Sequence, residues 1–168
     1  MNLSVKIINS NFYSLLSALL CSFFIIACSS SDEDEFSLVG TNTSIAEIAG
    51  NWNATRGFFV SSATGPLMAT DVVAEGGSVT LSIQTTGQFS ITVKEAGRTP
   101  DTSTGRMAFD EDLLVIFFDD DPGEWEFFGI VHNEPNLSIQ GGNGSAEFDF
   151  DGDGTKEPAN VEFEFVRI

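Results

Sequence analysis

The chain has 168 residues, with 25 acidic against seven basic side chains and a net charge of −18 at pH 7. A surface this negative repels phosphate backbones and anionic lipid headgroups, which argues against nucleic acid as a partner and leaves divalent cations welcome. Sixteen phenylalanines and a 42% hydrophobic content are too apolar for a disordered chain, so a packed core is expected.

The first element is MNLSVKIINSN, polar, with Lys6 as its one cation. It is followed by FYSLLSALLCSFFIIA, residues 12–27, without a charge. A short positive segment, an apolar run and small residues make the layout of a secretory signal. The run is short for a membrane span, which needs about 20 apolar residues. Ile25, Ile26 and Ala27 then precede Cys28. This resembles the lipobox of bacterial lipoproteins, with an aliphatic residue three places before the cysteine and a small one directly before it. Cys21 follows Leu20, which is too large for that place. The resemblance implies cleavage before Cys28, a diacylglyceryl thioether on its sulfur and a fatty acyl chain, such as palmitate, on its new amino group. Several chains on one residue anchor stably where one is marginal, so the membrane is an expected partner, through lipid at the cell outer membrane. SSSDEDE, residues 29–35, is similar to the surface-export signal of lipoproteins in Bacteroidota, although a solvated acidic tether reads the same way. With Cys21 removed and Cys28 lipidated, no thiol remains for a disulfide or a cysteine metal site.

Residues 28–43 have few apolar positions and no period, so they are read as a flexible tether. The domain is placed at 44–168; the mature chain of about 140 residues suits one domain. It opens with Ser44 and Glu47 at capping-box spacing and with Ile45 and Ile48 on one face, which predicts a single helical turn closed by Gly50. Beyond it the pattern is strand. SVTLSIQ puts Val79, Leu81 and Ile83 on one face, QFSITVK does the same with Phe89, Ile91 and Val93, and TTG lies between them. That is an antiparallel hairpin. AEFDF and VEFEFVRI repeat the alternation, the latter with Val161, Phe163, Phe165 and Arg167 on one side. LLVIFF (113–118) and WEFFGIV (125–131) are apolar on both faces, which predicts cover on both sides. Further strands are expected near 52–60, 70–75, 105–109 and 136–140. Eight to ten strands with turns at this spacing predict an all-β barrel or sandwich.

Gly50-Asn51-Trp52 opens the first strand and Arg167 ends the last. This resembles the lipocalin superfamily, whose first strand begins Gly-x-Trp and whose late arginine packs across that indole. The resemblance implies an antiparallel up-and-down β-barrel of about eight strands, with Gly50, Trp52 and Arg167 as its structural signature. Closure brings first and last strands together, and a guanidinium over an indole is a cation–π contact. A β-sandwich is the alternative, although the paired cysteines of true immunoglobulin domains are lacking.

FDFDGDGTKEPAN places Asp149, Asp151 and Asp153 at positions 1, 3 and 5 of a calcium-type loop, with Gly154 at the sharp turn and the Thr155 carbonyl at position 7. Asn160 stands where an EF-hand has its bidentate glutamate, and DGDG is also good turn chemistry. Calcium is therefore the one cofactor the residues suggest. FFDDDPGEW is read as a solvated acidic turn. His132, the one histidine, is read as a surface loop residue; no nucleophile pattern lies near it, so an enzyme is not expected. Two functions follow: a lipid-anchored lipocalin-like barrel that binds a small apolar ligand inside, or a non-catalytic structural or adhesive module, stiffened by calcium. An interior cavity separates the two.

Overall fold

The computed structural model describes residues 36–63 and 65–168. The expected signal segment, Cys28 and the start of the acidic segment lie outside the described residues. Among the described residues, ten strands follow one helical turn, α1 (Ile45–Ile48). They are β1 (Gly50–Ser61), β2 (Ala69–Asp71), β3 (Ser78–Ile83), β4 (Gln88–Lys94), β5 (Asp101–Asp110), β6 (Leu113–Phe118), β7 (Glu126–Asn133), β8 (Asn136–Gly141), β9 (Ala146–Phe148) and β10 (Glu157–Arg167). They run β2-β1-β3-β4-β5-β6-β7-β8-β10-β9 through one sheet, and β1 also pairs with β10. That pairing closes eight antiparallel strands into an up-and-down barrel, so the sandwich is ruled out. β2 and β9 stand outside the ring. They flank the stretches of β1 and β10 that outrun β3 and β8, through Phe58–Val60 and Glu157–Ala159.

Alternation decides which side chains meet inside. In β3, Val79, Leu81 and Ile83 are buried and their neighbours exposed. In β10, Ala159, Val161, Phe163 and Phe165 are buried. β1 carries one extra residue at Thr55, between the pairs Ala54 to Phe165 and Arg56 to Glu164. Such a bulge adds the local twist that a closing strand needs.

One end of the barrel is sealed. Ser44 and Glu47 form the reciprocal cap that the sequence predicts: the Glu47 amide donates to Ser44 Oγ at 3.3 Å and the Ser44 amide to Glu47 Oε2 at 2.8 Å. The Ser44 hydroxyl and amide hold the Glu47 carboxyl below its ordinary pKa. Ile45, Ile48 and Trp52 are wholly buried there. The Trp52 indole N–H donates to the Ile48 carbonyl at 2.9 Å. Arg167 pairs with Trp52 in register, and its guanidinium carbon lies 4.2 Å from the indole centroid. Its Nη1 and Nη2 donate to the Ala49 and Glu47 carbonyls at 2.6 and 2.7 Å, and its Nε donates to Glu134. One side chain thus satisfies the free carbonyls at the end of α1 while covering the indole. Gly50 sits at φ +146°, and a Cβ there would lie 2.5 Å from Arg167 Nη1. A side chain at position 50 would displace the arginine.

Four expectations need correction. Residues 36–43, expected as the end of a flexible tether, lie against the barrel. The Ser37 amide donates to the Phe109 carbonyl at 3.0 Å, the Phe109 amide donates back at 2.6 Å, and the Phe36 ring meets Phe117 and Trp125 edge-on. β4 pairs only with residues 101–106 of β5, so the rest of that strand edge needs another partner, and this segment supplies it. The strand expected at 70–75 stops at Asp71. The Asp71 carboxylate accepts from the amides of Val73 and Ala74 and turns the chain. The outer faces of β6 and β7 are only partly covered: Val115 is buried, but Leu113, Phe127 and Val131 are exposed. His132 is not in a loop. It lies on β7, edge-on to Trp52 with centroids 6.0 Å apart, and within 3.2 Å of Glu134.

Candidate functional site

Large side chains crowd the sealed end of the interior. Of the largest wholly buried ones, among them Trp52, Phe109, Phe165, Leu114 and Leu137, only Leu81 also borders the space above. Toward the other end the barrel interior opens to solvent as a cavity of about 850 Å3, bordered by strands and by the loops at their ends. Its wall is built from the inward positions of successive strands, including Phe89 and Ile91 of β4, Met107 of β5, Ile116 of β6, Phe128 of β7 and Phe163 of β10. Phenylalanine rings set its shape. Phe59 stacks on Phe148 with centroids 4.5 Å apart and meets Phe163 edge-on at 5.6 Å. All three rings border the cavity.

The mouth is polar and acidic. The loop 149–156 reaches across it from β10. Going either way round the barrel, three strands separate β10 from β5, so the two face each other. The loop is joined to the β4–β5 turn by an ion pair from Arg98 to Asp149 at 3.1 Å, and to the start of β5 by one from Lys156 to Asp101 at 2.7 Å. Arg98 also pairs with Glu95 at 3.1 Å. On the β6–β7 side stand Asp120, Asp121, Glu124 and Glu126. Glu126 shares the inward face of β7 with Phe128. Burial, and then the nearby Glu124 and Asp121 carboxylates, push its carboxyl above the ordinary value of 4.5.

The sequence-predicted residues fall into three places. Gly50, Trp52 and Arg167 come together at the sealed end, away from the cavity. Asp149, Asp151 and Asp153 come together in the mouth loop, each with a carboxylate oxygen within 4.8 Å of the others. Their oxygens accept backbone amides: Gly152 and Gly154 donate to Asp149, Asp153 to Asp151, and Thr155 to Asp153. Burial pushes the Asp149 carboxyl up, but the amides of Gly152 and Gly154 and the Arg98 guanidinium outweigh it and hold the group below its ordinary pKa. The donor set is one a hard cation accepts, and Arg98 already supplies positive charge to it. Cys28 lies outside the described residues.

The acidic turn after β6 is exposed along residues 119–124, as the solvated turn expected of it. Asp119 faces outward and accepts from Thr104 Oγ1 at 2.6 Å. Asp120, Asp121 and Glu124 also line the mouth of the cavity. The residue the sequence reading passed over is Glu126. Its signal is parity: it sits two residues before Phe128, on the apolar side of an alternating strand. Comparison of the chain with protein-family models, curated proteins and solved structures found no match.

Proposed function

We propose that the chain is a lipid-anchored cell-envelope protein whose lipocalin-like barrel holds one small, largely apolar molecule. The supporting observation is the cavity. At about 850 Å3, with phenylalanine and aliphatic walls, it lies within the roughly 300–1,000 Å3 of small-molecule sites. A structural or adhesive module would gain stability by filling that space, since apolar wall left open to water forgoes the gain of burial. The sealed end supports the same reading, because a carrier needs one mouth and a floor. No step of bond making or breaking is part of the proposal.

N-phenyl-1-naphthylamine is neutral at pH 7 and brightens in apolar surroundings, so it serves as the reporter dye. One equivalent should saturate the full chain, and Ile91→Trp, which fills the wall with a larger ring, should abolish the signal while the urea melt shows a folded protein. No signal from the natural chain, or an unchanged signal from a folded Ile91→Trp, would sink the proposal. The anchor is tested separately. Cys28→Ser should abolish incorporation of labelled palmitate and retention in the membrane, and Cys21→Ser should do neither. Equal labelling of the two variants would reject Cys28 as the anchor.

A further inference from the structure

The cavity wall and its mouth differ in character. Inside, the wall is phenylalanine and aliphatic. At the mouth, both cations are already engaged: Arg98 with Glu95 and Asp149, and Lys156 with Asp101. The carboxylates of Asp121, Glu124 and Glu126 have no cationic partner among the described residues. Glu126 extends that charge inward, on the same face of β7 as the buried Phe128 ring. A carboxylate on an apolar wall beside two like charges is unfavourable unless a positive charge joins it. The described residues supply none there.

We infer that the barrel's ligand is a cationic amphiphile: an alkyl or aryl body held by the apolar wall and an ammonium group set against Asp121, Glu124 and Glu126 at the mouth. This rests on the reading of the cavity as a ligand site. The upward push on the Glu126 carboxyl, from burial and from Glu124 and Asp121, is the mark of a missing counter-charge. The same geometry selects against fatty acids. A ligand carboxylate entering this mouth would meet like charges at close range, and the two cations that could receive it would first have to leave their partners. The overall charge of −18 acts in the same direction at longer range.

The experiment is displacement of the dye from the full chain by three molecules of equal length: n-octylammonium, n-octanol and n-octanoate, at pH 7 and low salt. Octylammonium should displace the dye at about one tenth the concentration octanol needs, and octanoate should need about ten times more than octanol. In about 1 M salt, where the screening length falls to about 3 Å, the three should converge. They should also converge in Asp121→Asn/Glu124→Gln/Glu126→Gln, and partly in Glu126→Gln alone. Failure of the dye to bind the natural chain would overturn the cavity reading and this inference together. Displacement by octanol with octylammonium no better would overturn the inference and leave the cavity reading standing. A preference for octylammonium that survives both salt and the triple variant would also overturn it, because those carboxylates would not be its source.

Discussion

Glu126 carries a cost where it stands. Its folded pKa is raised, first by burial and then by Glu124 and Asp121, so the folded state holds that proton more tightly than the unfolded chain does. Stability is therefore untouched below the unfolded value. It falls as pH rises from that value through the raised folded one, and stays lowered above it. Glu126→Gln removes the charge and keeps the shape. Its melting temperature should exceed that of the natural chain at pH 7, and the gain should shrink to nothing as the pH falls below about 4.3, the ordinary glutamate value. Thermal melts across that range measure it; a loss of stability at pH 7 would mean that Glu126 has a favourable partner after all. A residue that stabilises the protein when removed is retained for another reason, and sites that bind or react are where such residues collect.

At the scale of elements, the seam between β1 and β10 depends on α1. Trp52 fills the floor, Arg167 covers it, and the carbonyls ending α1 hold the arginine flat. Trp52→Ala should cost about 3–5 kcal/mol, as for other large core truncations. Arg167→Ala should cost about 2 kcal/mol, since it removes a desolvated cation–π contact and frees two carbonyls. In urea titrations the double mutant should fall short of the sum by about 1 kcal/mol, because both changes remove one contact. Strict additivity would show that the two residues act apart. Much of this seam was legible beforehand. Gly50, Trp52 and Arg167 stand out at the chain's two ends, and Ser44 and Glu47 have the spacing of a cap, which is local chemistry. The hairpin of β3 and β4 was equally plain, because each strand meets one apolar interior and alternates accordingly. What could not be read depends on contacts far apart in sequence. Residues 36–43 look like a tether until β5 is seen to outrun β4. The last residues of the expected 70–75 strand bend away because the Asp71 side chain takes their amides. An open interior went with the ligand-binding reading and a filled one with the structural alternative, and the sequence left the two unseparated, because alternation tells which phenylalanines point inward but not how closely their rings pack. Glu126 was legible by parity, yet the charged turn before it made the whole stretch read as solvated.

For the whole molecule, charge and shape act together. An acidic surface around an acidic mouth concentrates cations at the opening and raises their rate of encounter. That field also keeps copies of the protein apart, which suits a barrel whose outer wall exposes Phe127, Val131 and Leu113. For the proposed carrier, arrival is only half of exchange, and the loop 149–156 is placed to act on the other half. It lies across the opening like a latch, held by Arg98 on Asp149 and Lys156 on Asp101. Both pairs meet water, where such contacts are weak, so the latch is easy to lift and loops of this kind move in nanoseconds to microseconds. A latch of this sort times the traffic of a guest without deciding how tightly it is held. Arg98→Gln with Lys156→Gln should therefore speed both entry and escape of the neutral dye in stopped-flow traces, by a similar and modest factor of about two to five, as the loss of weak surface pairs implies. The dissociation constant, the quotient of the two rates, should hardly move. An escape rate that rises alone would make the loop part of the wall. Equal acceleration makes it a door, and the dwell time of the guest then follows the ionic strength outside, since salt loosens the same two pairs.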